Sequence, residues 1–201
     1  SLDISIGRKC DGGCPFCYEG ATPDGPEADL LNVPFLDTLH PWTEVAINGN
    51  SLDHPQLIPF LHQLKERNII ANITVNQLHF EYECDIIKKL VDKKLIYGLG
   101  ISLRDSKSYI WNHLANEFPN AVVHTIAGVT TPRDYVRLAG KNLKVLILGF
   151  KDKGRGHSYL RDKENEYYHN HEWLDYSLNV MMRTGGYNLI SFDNLALEQL
   201  N

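Results

Sequence analysis

Short apolar runs rich in β-branched residues begin at positions 44, 70, 97, 121 and 143, at spacings of 26, 27, 24 and 22. One strand, one helix and two short turns occupy about that length, so the spacing is the rhythm of βαβ units in a parallel sheet. The runs predict strands over 2–6, 44–48, 70–75, 97–103, 121–126 and 143–148. Between them Leu57, Leu61 and Leu64 share one helical face, as do Ile87, Leu90, Val91 and Leu95. The strand runs are nearly continuous in apolar residues rather than alternating, as expected where both faces are covered. Six such units fit in 201 residues, whereas a closed eight-unit barrel takes about 250. The expected fold class is therefore α/β: a partial (βα)6 TIM-like barrel, with parallel strands and helices outside. A doubly wound open sheet is the competing architecture.

From 161 to 183, Tyr167, His171, Leu174, Leu178 and Met181 recur at steps of four and three, which predicts one long amphipathic helix. A short strand over 188–192 and a helical tail over 195–200 follow. Residues 1–160 read as the core and 161–201 as a segment closing its edge within the same domain. The Gly/Pro-rich stretch 20–26 reads as a loop, and no interdomain linker stands out.

Charge and hydropathy narrow the function classes. Lys plus Arg number 20 against 25 Asp plus Glu, a net charge of −5, which disfavours nucleic acid as a partner. No apolar run approaches the roughly 20 residues of a membrane span, and the first residues do not read as a secretory leader. Three of the four cysteines, Cys10, Cys14 and Cys17, fall within eight positions, with Cys84 apart. A secreted disulfide framework spreads its cysteines, so the cluster reads as a soft-metal or redox site in a reducing compartment, by default the cytoplasm. Cys84, on a predicted helix, reads as a buried, inert thiol.

The loop is Cys10-Asp11-Gly12-Gly13-Cys14-Pro15-Phe16-Cys17-Tyr18. Positions i, i+4 and i+7 would share a helical face, but two glycines and a proline oppose a helix. A loop curling three sulfurs around a common centre fits better, with glycine amides approaching them closely. Three cysteines are one short of the four that normally hold a four-iron cluster. If the centre is such a cluster, one iron lacks a protein ligand and is open to a small molecule, as catalytic zinc sites keep an open position.

C-x3-C-x2-C directly after the first strand of a βα-repeat chain resembles the signature of the radical S-adenosylmethionine (SAM) superfamily, over about residues 1 to 156. The resemblance implies that Cys10, Cys14 and Cys17 are the catalytic trio that ligates a [4Fe-4S] cluster, with SAM on the open iron. It implies a reductive cleavage of SAM to a 5′-deoxyadenosyl radical that takes hydrogen from an unidentified substrate. Phe16 matches the residue packing near the adenine, with Tyr18 beside it. Asn48-Gly49-Asn50-Ser51 stands where the family has its glycine-rich stretch, whose backbone meets the SAM ammonium; Gly49 matches, while Asn48, Asn50 and Ser51 depart from the commonest letters. Asn76 ends the third strand, and Ser102 matches the polar position that meets the ribose. His124-x-Ile126-x-Gly128 partly follows a G-x-I-x-G-x-x-E pattern, with His124 replacing the first glycine and Thr131 the acid. Gly149 and Phe150 would offer backbone to the adenine. Arg104, His124, Lys151 and Arg155 are candidate substrate contacts, the last two in a basic glycine-rich loop at 151–157 that reads as a solvated loop or a lid. An electron donor such as flavodoxin or ferredoxin is implied. The substrate is a small molecule, nucleotide, peptide or protein.

Rival readings accompany these. A glycyl-radical-enzyme activase is the alternative within the superfamily. Cys14-Pro15-Phe16-Cys17 also looks like a glutaredoxin motif opening a helix, which makes a thiol–disulfide oxidoreductase the alternative outside it. A structural zinc site completed by Asp11, a histidine or a fourth cysteine is another. Asn48, Asn50 and Asn76 also suit turns and caps, Ser102 a cap for a helix near Ser106, and His124 a satisfied core position.

Overall fold

The computed structural model describes residues 2–48 and 52–200. Its strands are β1 (Leu2–Ser5), β2 (Glu44–Asn48), β3 (Ile70–Asn76), β4 (Gly98–Ser102), β5 (Ala121–Ile126), β6 (Lys144–Leu148) and β7 (Leu189–Phe192). The helices are α1 (Leu57–Glu66), α2 (Gln77–Asp92), α3 (Leu114–Glu117), α4 (Pro132–Leu138), α5 (Arg155–Asp162), α6 (Glu164–Arg183) and α7 (Asn194–Gln199). The chain is α/β, with seven strands in one sheet in chain order; β1–β2, β2–β3, β5–β6 and β6–β7 pair in parallel. Among the described residues no helix is long and apolar enough to cross a membrane.

Contacts divide the chain into two compact units. The first runs up to Gly12 and resumes at Ala21–Ile101; the second holds Gly13–Gly20 and the chain from Ser102 onward. In the first, Val45 and Ile47 pair with Ala71 and Ile73, and all four are buried. Burial alternates along β2 and β3, so the near-continuous apolar runs conceal one fully buried face and one half-buried face. α1 buries Leu57, Phe60, Leu61 and Leu64. Leu95, expected on the face of α2, lies beyond its end. Lys94 takes a left-handed φ of 53°, its N–H donates to the Val91 carbonyl, and the Leu95 N–H donates to the Leu90 carbonyl. That pattern is a Schellman motif, which commonly pairs its last apolar residue with one in the final turn; Leu90 and Leu95 are both buried. The connection from β1 to β2 carries a 3₁₀ turn (Pro34–Thr38) and no α-helix, so the first of the six expected units is a long loop instead.

In the second unit Val123 and Thr125 pair with Val145 and Ile147, and the four are buried. The Tyr135 hydroxyl of α4 donates to Thr125 Oγ1 at 3.1 Å. Thr131, standing where the resemblance expects an acid, forms a capping box with Asp134 at the start of α4. The long helix expected over 161–183 is α6, which starts at Glu164 and ends at Arg183; Arg161 and Asp162 belong to α5, and a break at Lys163 separates the two. The charges suit that break, with Arg161 in the last turn of α5 and Glu164 and Glu166 in the first turn of α6. α5 also claims Arg155–His157 from the expected loop.

Candidate metal centre

Cys10 is held by a strap made from its own loop. Gly7 bridges to Glu27 and Lys9 to Thr22; the Cys10 N–H donates to the Thr22 carbonyl at 2.8 Å, and the Thr22 N–H to the Arg8 carbonyl at 3.0 Å. Gly25 permits that approach, since a Cβ there would lie 2.1 Å from the Arg8 carbonyl oxygen. Beyond Cys10 the Gly12 N–H turns back to donate to Cys10 Sγ at 3.3 Å. A Cβ on buried Gly12 would meet Cys10 Sγ at 3.2 Å and Asn76 Nδ2 at 3.4 Å. An amide aimed at sulfur is the contact that tunes metal–thiolate centres.

Asn76 ends β3 and caps α2, its Oδ1 accepting from the Leu78 N–H at 3.0 Å. The strand therefore passes into the helix with no loop, and His79 falls in the first turn. His79 is 7% exposed, and its Nε2 lies 2.7 Å from Asp11 Oδ1. That hydrogen bond is the main cause holding the Asp11 carboxyl below the usual range; because the Asp11 side chain is 77% exposed, the pair by itself adds little stability. Cys10, Asp11 and His79 thus offer one sulfur, one oxygen and one nitrogen, all within 4.8 Å of one another. The other ring nitrogen, Nδ1 of His79, is buried and has no hydrogen-bond partner among the described residues. Glu83 stands where α2 kinks (φ −113°, ψ 16°), and its Oε2 accepts from the Leu52 N–H at 3.4 Å. Burial raises its pKa, with the negative Asp53 and Asp11 adding and His79 opposing.

Cys14 and Cys17 belong to the second unit. The Cys17 N–H donates to the Cys14 carbonyl at 3.2 Å and the Gly20 N–H to the Cys17 carbonyl at 3.2 Å, two successive turns. The start of α5 clamps them: Arg155 Nε donates to the Cys14 carbonyl at 2.9 Å, and the Arg155 N–H to the Cys17 carbonyl at 2.9 Å. Gly154, at φ 56°, makes room, because a Cβ there would lie 2.5 Å from the Tyr18 carbonyl oxygen. Phe16 meets Tyr159 edge to face at 5.8 Å, and Lys151 Nζ sits 4.1 Å over the Tyr18 ring. Arg155 and Lys151, candidate substrate contacts from sequence, are thereby seen positioning the cysteine turn.

The remaining expected positions divide. Asn48 ends β2 and is half-buried, while Gly49, Asn50 and Ser51 lie outside the described residues. Ser102 ends β4 and is half-buried; no helix starts at Ser106, whose Oγ donates to Asp134 Oδ1 at 2.6 Å. Arg104 is exposed. Gly128, at φ 79°, would put a Cβ 2.2 Å from the Tyr167 ring, and its carbonyl accepts from Asn170 Nδ2 at 3.2 Å. The backbone expected at the adenine is engaged by α7. The Gly149 N–H donates to Asp193 Oδ1, and Phe150 exchanges two hydrogen bonds with the Gln199 amide. Burial lowers the pKa of His124 to about 4, against the opposing charge of Asp193, so it is neutral at pH 7; its surface is half-buried. Cys84 is half-buried rather than buried.

The four cysteines, all among the described residues, are not disulfide-bonded, and each is partly accessible. Backbone-supported, accessible thiols fit the donor chemistry that a cluster needs. No family model, curated protein or solved structure matches this chain. His79 was not singled out by sequence reasoning. Its one legible signal was its place three residues after Asn76, a strand-ending cap; Asp11 and an unspecified histidine entered only as alternative fourth ligands of a structural zinc site.

Proposed function

We propose that this chain is a radical SAM enzyme in which Cys10, Cys14 and Cys17 hold a [4Fe-4S] cluster, built on a partial (βα) barrel and working in the cytoplasm. The observation that carries the reading is the C-x3-C-x2-C spacing placed directly after β1 of a parallel sheet. Ligands of such sheets bind at the carboxyl ends of the strands. Strand order supports the barrel over the doubly wound alternative, because it runs sequentially without the reversal that creates a switch point. When bound, the cluster supplies the electron that cleaves SAM to methionine and a 5′-deoxyadenosyl radical, which takes a hydrogen atom from the substrate.

The chain's own residues orient and shield. The Gly12 amide donates to Cys10 Sγ, the kind of contact that tunes metal–thiolate centres. Arg155 holds the Cys14–Cys17 turn by its carbonyls, and the sulfurs of Cys14 and Cys17 are the metal donors proposed for that turn. Phe16, Asn48, Asn76 and Ser102 are the described residues proposed to meet SAM, together with Gly49 and Asn50. Gly128, Gly149 and Phe150 act on that rim through packing, since the backbone groups named above bond within the chain. The electron comes from a donor such as flavodoxin or ferredoxin. A glutaredoxin-like reading is less well supported, because the pair Cys14 and Cys17 lies in turns and opens no helix.

Anaerobic reconstitution with iron and sulfide, then reduction with SAM present, tests the reading. The expected product is 5′-deoxyadenosine, lost in Cys10→Ala. Dithiol exchange that survives Cys10→Ala, without SAM cleavage by the parent chain, would overturn it.

A further inference from the structure

We propose that Cys10, Asp11 and His79 form a second, mononuclear metal site for a borderline divalent cation, with Zn²⁺ the ion its donors fit best. The three donor atoms come from two segments 68 residues apart yet lie within 4.8 Å of one another. One thiolate, one imidazole and one carboxylate are the ligand types zinc takes. Three protein ligands with a fourth place for water make the open form of such a site. In a tetrahedral zinc site at ordinary bond lengths, nitrogen and oxygen ligands are separated by about 3.3 Å and sulfur and nitrogen by about 3.5 Å. The Asp11–His79 contact at 2.7 Å has to open by roughly half an ångström, which the exposed Asp11 side chain accommodates. The cation would replace the proton now shared between carboxylate and imidazole.

Two further observations favour a ligand here. His79 is nine-tenths buried yet turns Nε2, the nitrogen the cation would take, onto the exposed carboxylate of Asp11. Glu83 stands one helical turn after His79 on α2, and the charges of Asp11 and Asp53 both act on it, so the surroundings of the site are acidic and suit a cation. Cys10 is shared with the cluster proposed above, so a corollary that rests on that reading follows: zinc bound here withholds Cys10 from cluster assembly.

The metal-free full chain, kept anaerobic and reduced, is titrated with Co²⁺, and the thiolate-to-cobalt charge-transfer band is followed. One Co²⁺ per chain is expected, displaced by Zn²⁺. The double variant Cys14→Ser/Cys17→Ser should bind as the parent does. Asp11→Asn, at an exposed side chain with little risk to folding, and His79→Gln should each weaken binding by about tenfold or more, since even outer-shell changes commonly cost that much. Loss of the band in the double variant, or parent-like affinity in Asp11→Asn, would overturn the proposal, because the metal would then sit on the cysteine turn. SAM cleavage by the reconstituted enzyme is read separately. Parent and Asp11→Asn chains that cleave SAM equally while Co²⁺ binding is absent defeat this site alone, and Co²⁺ binding without any SAM cleavage defeats only the enzymatic reading. The corollary predicts that one equivalent of Zn²⁺ slows cluster assembly in the parent and has less effect in Asp11→Asn.

Discussion

Replacing Gly128 with alanine separates a packing role from a ligand role at a position where both have a claim. Its φ of 79° and the 2.2 Å distance from a built Cβ to the Tyr167 ring impose two costs. Holding an L-residue in the left-handed region costs about 1–2 kcal/mol. Overpacking a filled core adds about 1–3 kcal/mol, and Tyr167 has little room to yield, because it is buried and packs against Phe150 at 5.0 Å and Tyr168 at 5.3 Å. Stiffening the unfolded chain returns only about 0.4–1 kcal/mol. Gly128→Ala should therefore destabilise by roughly 3 kcal/mol, within about 1–5. Urea unfolding reads this as a lower midpoint at unchanged slope. Adding Tyr167→Leu removes part of the clash, so the glycine substitution should cost only about 1–2 kcal/mol in that background, the backbone share. A loss under about 0.5 kcal/mol in Gly128→Ala, ordinary for a surface change, would refute the reasoning and return Gly128 to the role of a SAM contact.

Other expectations follow from the same geometry. His124 has a folded pKa of about 4 against 6.5 unfolded, so the unfolded chain binds the extra proton between those values, and stability falls as pH drops through that window. The loss is of order 3 kcal/mol at most, and His124→Gln should flatten the slope of stability against pH between 4 and 6.5. Arg155→Ala removes the Nε donor to the Cys14 carbonyl; Cys14 and Cys17 should alkylate faster, with about 1–2 kcal/mol of stability lost. Gly12→Ala would press a methyl against Cys10 Sγ and Asn76, so iron bound per chain after reconstitution should fall while urea stability changes by less than about 1 kcal/mol. Asp11→Asn removes a carboxylate whose pKa is depressed by its hydrogen bond to His79. The small stability that pair adds is present above the ordinary carboxylate pKa and lost as pH falls through the lowered value, so the variant should show a shallower acid loss.

Strand positions were legible because parallel sheets demand apolar runs at a spacing wide enough for a crossover. β2 and β5 occupy the expected residues, β1, β3, β6 and β7 differ by one residue at one end, and β4 is one residue shorter at each end. The expected first unit failed because the long segment after β1 has strap geometry rather than helical period, with Arg8 and Cys10 bonded to Thr22 and Pro26. The expected start of α6 falls three residues early, since its apolar repeat begins only at Tyr167 and leaves the start unmarked, while the charges on either side of Lys163 mark two termini. Of the candidate site, the three clustered cysteines are visible in sequence because they share one short loop.

By itself the sequence determined a parallel α/β architecture and a loop of three clustered thiols, since both depend on local spacing. Only the tertiary structure brought His79 to Asp11 and Cys10, turned Arg155 into the clamp of the cysteine turn, and gave the Gly149–Phe150 backbone to α7. The reason is physical: each of those contacts joins residues 44 to 141 positions apart, and hydrogen-bond partners at such separations are chosen by how strands and helices stack, which no local periodicity encodes.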